Sequence, residues 1–171
     1  MEGIDDMYKI QNRNRMSYLG VGPCYVTIII LLAAVGIHIS KAGYLSGGYF
    51  ESLRMTMWVI GSIMLVLGAF LCIETVKSGK LFRHIRNNKL ITNGVFALVR
   101  NPLYTGITFI VMGFIFWGNN LFLLPLIIIY WGVMTLLVKK EEKSMEKIFG
   151  EEYLEYKSRV NRCIPWFPKH K

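Results

Sequence analysis

Long apolar stretches alternate with short polar ones along the chain, and this pattern predicts the architecture. Four segments are almost free of charge; they cover residues 19–39, 53–73, 103–118 and 121–138. A helix needs about 20 apolar residues to cross the ~30 Å hydrocarbon core of a bilayer. The first two segments have that length. The last two form either two spanning helices or one re-entrant hairpin, with its tip at Asn119 and Asn120.

A different pattern follows Val138. Residues 139–168 carry apolar side chains three and four positions apart with Glu and Lys between them, namely Met145, Ile148, Phe149, Tyr153, Tyr156 and Val160. This spacing predicts an amphipathic helix, in which Gly150 is a candidate break. Its apolar stripe must be covered either by the membrane surface or by the polar loop of residues 74–102.

Composition agrees with a membrane protein. Of the 171 residues 53% are hydrophobic, and the mean hydropathy of +0.39 is high for a soluble domain. We therefore expect one all-α polytopic membrane domain that covers residues 1–171 and has about four transmembrane helices. A polar segment of 18 residues precedes the first apolar run, which is also too long for a signal peptide, so that helix should remain in the mature protein.

Positive charge marks one side of this protein, whose net charge is +9. Three cations precede the first helix, six lie between the second and third, and nine follow the fourth, whereas the first loop has only Lys41. The positive-inside rule then predicts that both termini and the active site are cytoplasmic. Such cations set topology and contact lipid head groups, so we expect a bilayer partner and no nucleic acid.

Several residues have structural interpretations only. Cys24, Cys72 and Cys163 are too widely spaced for a disulfide framework, and His38 and His84 lack partners at ligand spacing, so no metal site is predicted. Glu74 should pair with Lys77, three residues later on a helix. Gly106 and Gly113 should permit close helix approach.

Two short motifs carry the candidate chemistry. Pro102 suits the first turn of the third helix and keeps Asn101 extended, so locally Asn101 is interpreted as a helix cap and Arg100 as a phosphate contact. Glu141 and Glu142 follow the predicted end of the fourth helix, whose dipole disfavours them. They indicate either a cationic ligand or, as local sequence favours, a solvated Glu and Lys face.

In combination these motifs resemble a known family. The resemblance covers residues 81–165 and rests on the stretches LITNGVF at 90–96, RNPLYTG at 100–106, EE at 141–142, FGEEYLEY at 149–156 and RCIP at 162–165. The chain resembles the isoprenylcysteine carboxyl methyltransferases, within the wider membrane methyltransferases that include phospholipid N-methyltransferases.

The resemblance implies S-adenosylmethionine (SAM) as cofactor. Carried over by position, its contacts would be Asn88, Lys89, Leu90, Ile91, Phe96, Asn101, Pro102, Leu103, Tyr104 and Glu141. Leu90, Ile91 and Phe96 would sandwich the adenine, and Glu141 would pair with the amino group. The methyl group needs only in-line placement of an acceptor, so no catalytic nucleophile is expected.

Two positions depart from the family. Asn101 stands where eukaryotic members have His, and Leu137 stands where the prenylcysteine enzymes have an arginine for the substrate carboxylate. Lys139 and Lys140 fall on other faces of a helix than Leu137 and would need an irregular helix end to replace that arginine. Arg100 is a further candidate for contact with the acceptor.

We therefore expect a SAM-dependent methyltransferase whose hydrophobic or membrane-dissolved acceptor enters from the bilayer. Transfer to O, N or S and any oligomeric state stay open. One alternative is an NADPH-dependent membrane reductase, because sterol reductases have a similar Arg-x-Pro-x-Tyr turn. Another is a SAM-binding protein without catalysis.

Overall fold

The computed structural model describes residues 22–77 and 90–167, and this part of the chain is helical, as predicted. Its α-helices are α1 (Gly22–Lys41), α2 (Arg54–Lys77), α3 (Val95–Leu98), α4 (Pro102–Trp117), α5 (Pro125–Phe149) and α6 (Glu151–Arg159). Short 3-10 helices lie at Ser46–Gly48, Glu51–Leu53 and Leu121–Leu123. Within the described ranges there is no strand, and the β-type pairing is one isolated bridge between Tyr49 and Asn120.

Three helical segments are long and apolar enough to cross a membrane: Pro23–Lys41, Glu51–Lys77 and Leu121–Phe149. The helix α4 is apolar but has only 16 residues, which at 1.5 Å per residue gives roughly 24 Å. That is shorter than a ~30 Å hydrocarbon core. The structure thus supports an integral membrane protein with three candidate spans, and a fourth span through α4 stays a prediction.

Glycines allow α2 and α4 to pack with their backbones in close approach. A Cβ atom on Gly68 would lie 2.5 Å from the carbonyl oxygen of Gly106, and one on Gly113 would lie 2.8 Å from that of Gly61. Distances under 3.0 Å are too short for a methyl group, so only glycine fits at these crossings. The predicted role of Gly106 and Gly113 is confirmed.

The helix α1 joins α4 and α5 around a buried core. The Tyr25 hydroxyl lies 2.8 Å from Thr108 Oγ1, and it donates to the Tyr130 carbonyl oxygen at 3.3 Å. Tyr130 and Met134 on α5 are fully buried in the same cluster. These polar contacts tie the three helices together where water is absent.

The predicted tip at Asn119 and Asn120 does connect α4 to α5. Asn119 has a φ of 46°, and its amide donates to the Phe50 carbonyl oxygen at 3.3 Å. The Asn120 amide donates to Ser40 Oγ at 2.8 Å and to the Leu45 carbonyl oxygen at 2.9 Å. The tip therefore packs on the loop between α1 and α2, and residues 90–101 lie at the other end of these helices.

The fourth predicted helix does not end at residue 138. Instead α5 continues to Phe149, so the predicted helix end at residue 138 was wrong, while the boundary of the spanning segment there stays a prediction. Residues 139–149 contain no Gly or Pro and are mostly good helix formers. The break comes at Gly150, with a φ of 54° that favours glycine. Glu141 and Glu142 thus lie inside a helix, and the argument from an unfavourable helix end does not apply.

The predicted tail contains a second helix, α6, at Glu151–Arg159, and this helix packs against the loop. Leu90, Met145 and Phe149 surround a buried cluster of Tyr153, Tyr156 and Val160. Of the two predicted locations for the apolar stripe, the structure shows the loop contact. Ile148 lies outside this cluster.

The structure also describes Glu74 and the three cysteines. Glu74 pairs with Lys77, with Oε1 and Nζ 3.8 Å apart, as predicted. Cys24, Cys72 and Cys163 are free thiols. His84 lies outside the described residues.

Candidate functional site

A buried ion cluster lies where the start of α4 meets α5. Arg100 Nη2 is 2.7 Å from Oε1 of Glu142, and the two side chains are only 6% and 3% exposed. Arg162 Nε contacts the other oxygen, Oε2, at 2.8 Å. Two cations thus share one carboxylate, which satisfies the buried charge of Glu142.

The Arg100 side chain also caps the C-terminus of the helix α6. Its Nη1 atom donates to the carbonyl oxygen of Lys157 at 3.0 Å and to that of Val160. These belong to the last turn of α6 and the residue after it, where carbonyl groups have no partner within the helix. Arg100 is therefore a buried link between the loop and α6, and the local interpretation as a phosphate contact was wrong.

Asn101 does not cap α4 with its side chain. Its Nδ2 atom donates to the Arg162 carbonyl oxygen at 3.1 Å and lies 3.5 Å from Oε1 of Glu142. The Asn101 backbone N–H donates to the same Arg162 carbonyl at 3.3 Å. In the next turn, Thr105 Oγ1 donates to the Cys163 carbonyl oxygen at 3.0 Å. The start of α4 is thus bonded to residues 161–163.

Glu141 has different surroundings from its neighbour. Its Oε1 atom accepts a hydrogen bond of 2.8 Å from the Tyr104 hydroxyl, and the residue is half-buried. The Tyr104 ring meets Tyr25 edge to face, with ring centroids 6.0 Å apart. The hydrogen bond from Tyr104 therefore orients the Glu141 carboxylate.

The three residues expected to sandwich the adenine, Leu90, Ile91 and Phe96, do not lie in one hydrophobic cluster. Phe96 is buried in a cluster with Leu71, and Ile91 packs against that cluster. Leu90 belongs to the separate cluster of α6. Tyr156 joins the two, because its hydroxyl donates to the Phe96 carbonyl oxygen at 2.6 Å. Asn88 and Lys89 lie outside the described residues.

The remaining predicted positions are at the same end of the protein. Pro102 is buried as the first residue of α4, and Leu103 is half-buried behind it. Leu137 packs against the core cluster of α1, α4 and α5. Lys139 and Lys140 are exposed on a regular part of α5, so neither takes the direction of Leu137.

Arg162 is the residue that the sequence did not single out. It appeared only within the RCIP motif, and a cation in a basic tail is readily assigned to membrane topology. Its role follows from its contact with Glu142, which lies 20 residues earlier in the chain. Thr105 was missed for a similar reason, since its partner is a backbone carbonyl.

Burial also sets the protonation state of the ionisable groups near this cluster. It raises the pKa of the Tyr153 and Tyr156 hydroxyls and raises that of the Cys163 thiol to about 11. These groups stay protonated and neutral near pH 7. The carboxylate of Glu141 and the polar groups of Asn101 and Tyr104 lie at the same end of the protein. Together these groups can bind and orient a polar or cationic ligand.

The chain matches a known protein family. The family model for phospholipid methyltransferases matches residues 27–152. The chain belongs to the phospholipid methyltransferase family. The match includes α4, α5 and the Glu141 and Glu142 pair, and it gives no support to the reductase alternative.

The similar curated proteins are protein-S-isoprenylcysteine O-methyltransferases, as the motifs indicated. The Xenopus laevis enzyme is 32% identical over 128 residues, which are 68% of this chain and 44% of that protein. The human enzyme is 30% identical over 130 residues, 69% and 45% of the two chains. Enzyme B of Arabidopsis thaliana is 26% identical over 135 residues, 69% and 65%. The chain thus spans about half to two thirds of these relatives. No solved structure is significantly similar to it.

Proposed function

We propose that this protein is a membrane-embedded SAM-dependent methyltransferase acting on a hydrophobic or membrane-dissolved acceptor. The observation that carries the proposal is the hydrogen bond between Tyr104 and Glu141, of 2.8 Å. It joins two of the motifs that resemble the methyltransferases, at the end of the bundle where Asn101 also lies. Family membership supports the same reaction class.

The residues at this end fit SAM by their chemistry. Glu141 offers a fixed, half-buried carboxylate for the ammonium group, and Asn101 and Tyr104 offer polar groups beside it. The proposed contacts are those expected from the family, Asn88, Lys89, Leu90, Ile91, Phe96, Asn101, Pro102, Leu103, Tyr104 and Glu141. When bound, SAM would supply a methyl group on a sulfonium, a good leaving group. The protein would contribute position and exclusion of water.

In this proposal the whole of residues 1–171 is one domain, with its termini and SAM site on the cytoplasmic side. The distribution of Lys and Arg supports this orientation. The acceptor would reach the site from the bilayer, which the similar isoprenylcysteine enzymes support by the hydrophobic substrate in their name.

Calorimetric titration of the purified protein with SAM and S-adenosylhomocysteine tests cofactor binding. We expect Glu141→Ala to weaken SAM binding by about tenfold or more, because a charge-assisted hydrogen bond is worth about 1.5–3 kcal/mol. Tyr104→Phe should weaken it less, since it removes one hydrogen bond to Glu141 without removing the charge of the carboxylate. Glu155→Gln, on an exposed part of α6, is the matched control.

NADPH should not compete with SAM. Absence of heat from both SAM and S-adenosylhomocysteine in several detergents, with folded protein, would rule out the proposed cofactor.

A second experiment identifies the acceptor. Membranes with and without the protein are supplied with methyl-labelled SAM, and lipids, small molecules and proteins are separated. We expect label in an extractable hydrophobic compound that depends on Glu141. Label confined to protein would instead indicate carboxyl methylation of a prenylated protein, and SAM binding without any labelled product would indicate a non-catalytic protein.

A further inference from the structure

A groove runs beside the ion cluster, between α5 and the segment after α6. It has a volume of about 210 Å³, and its walls come from α5 and the segment after α6: Trp131, Thr135, Asn161, Arg162, Cys163 and Ile164. None of the residues expected to contact SAM lines it. The groove is a separate feature of this end of the protein.

One end of the groove is positively charged. Arg162 lies in its wall with its side chain 26% exposed, and Glu142 provides the single negative charge between Arg162 and Arg100. Lys139 is one turn beyond Thr135 on α5, on the same face as Trp131 and Thr135, and it is exposed. Lys139 is not one of the lining residues, but a helical side chain leans toward the preceding turn, so the Lys139 ammonium is directed toward Thr135 and this end of the groove.

The other end is apolar and faces the lipid side of α5. Trp131 stacks on Phe109 with ring centroids 6.2 Å apart, so its ring is a fixed wall. Ile164 is 57% exposed on the opposite wall, and Leu136 on the adjoining face of α5 is 67% exposed. Trp131 and Leu136 lie on a helical segment long and apolar enough to cross a membrane.

We propose that this groove binds an anionic phospholipid of the surrounding membrane. Its phosphate would lie between Arg162 and Lys139, and the first part of one acyl chain would lie between Trp131 and Ile164. The excess of cations over the one carboxylate gives the required charge complementarity. A volume of about 210 Å³ holds a phosphate and a few methylenes but not a whole lipid. The rest of the molecule must stay in the bilayer.

The position of the groove gives such a lipid a structural effect. Arg162 and Cys163 lie in its wall, and their carbonyl oxygens accept hydrogen bonds from Asn101 and Thr105. A lipid that holds this segment against α5 would therefore stabilise the start of α4. The inference does not depend on SAM or on catalysis.

The test is lipid retention measured by native mass spectrometry after delipidation. The full-length protein in detergent is supplied with equal amounts of phosphatidylglycerol and phosphatidylcholine of the same acyl chains. We expect preferential binding of one phosphatidylglycerol. We expect Lys139→Gln to weaken it about fivefold, as the loss of one surface cation predicts, and Arg162→Gln to weaken it more.

Lys140→Gln is the matched control, because the neighbouring lysine is equally exposed but points about 100° away around the helix. Lys139→Gln removes no ion pair found among the described residues, so it tests the site even where Arg162→Gln fails to fold. Equal retention of the two lipids, or equal losses in Lys139→Gln and Lys140→Gln, would overturn the proposal. It would also be overturned if a long-chain carboxylate bound there and phosphatidylglycerol did not.

Discussion

Arg100 and Glu142 are 42 positions apart in sequence, yet Nε of Arg100 donates to Oε1 of Glu142 at 2.9 Å and Nη2 lies 2.7 Å from the same oxygen. Arg162 contacts the second oxygen of that carboxylate. The loop before α4, the helix α5 and the segment after α6 thus meet at one group. Neither partner can be removed without leaving a buried charge.

The first prediction concerns Glu142→Gln. This change leaves the Arg100 guanidinium buried without a counter-ion, and we expect the free energy of unfolding to fall by about 3–5 kcal/mol. Chemical unfolding in detergent micelles measures it. Glu155→Gln is the control, because its ion pair with Arg159 is about half exposed and is worth at most about 1 kcal/mol. Equal stability of the two variants would mean that the cluster does not hold this end together.

The second prediction concerns the contact of α2 with α4. Gly68→Ala places a methyl group where the Gly106 carbonyl oxygen would be only 2.5 Å away. The helices must separate, at a cost of about 1–3 kcal/mol. Gly132→Ala adds the same methyl group to α5 where no other atom lies within 4 Å. Thermal unfolding should show a loss for the first variant and no loss for the second.

The third prediction concerns pH. Burial raises the pKa of the Cys163 thiol to about 11, and the thiolate is the reactive form. In a Cys24→Ala, Cys72→Ala background, alkylation of the folded protein should be slow at pH 8 and rise with pH toward 11. An unfolded thiol ionises near pH 8.5, so this group also lowers folded stability as pH increases from about 8.5 to 11. Rapid labelling at pH 8, equal to that in SDS, would contradict the buried position.

The fourth prediction separates the two ends of the bundle. Asn120→Ala removes buried hydrogen bonds to Ser40 and Leu45, and we expect a loss of about 1–3 kcal/mol in stability. The affinity for SAM should not change, because this end is remote from Glu141. Tyr156→Phe removes the hydrogen bond to the Phe96 carbonyl. This variant should lower both the stability of the protein and its affinity for SAM. Calorimetric titration of both variants with SAM measures the two affinities. A larger loss of SAM affinity in Asn120→Ala than in Tyr156→Phe would count against the proposed site.

The helices were predictable because lipid restricts the choice of structure. Backbone groups in a bilayer core must bond within the same segment, so a long apolar run is read as a helix with little ambiguity. The boundary at residue 138 was not predictable from hydropathy, since a helix continues into water wherever helix-forming residues follow. Gly106 and Gly113 were recognised, but their partners Gly61 and Gly68 were not, because pairing between helices leaves no local signal.

The site was only partly predictable for a geometric reason. Glu141 and Glu142 are adjacent in sequence, and on a helix adjacent side chains point about 100° apart. One therefore meets Tyr104 and the other meets two arginines. The motifs located the site at this end of the chain, but the identity of each partner came from contacts across 20 to 61 positions, which no local pattern contains.

Arg162 and Cys163, whose carbonyl oxygens accept hydrogen bonds from Asn101 and Thr105, come late in the chain, and this order has a consequence for biogenesis. The residues of α4 and α5 are synthesised before these partners. Until those partners arrive, Glu142 lacks one of its two cations and the Asn101 amide lacks its acceptor. Assembly of the site is thus a late event, and quality control that inspects the nascent protein would meet a pair of helices whose polar contacts are incomplete.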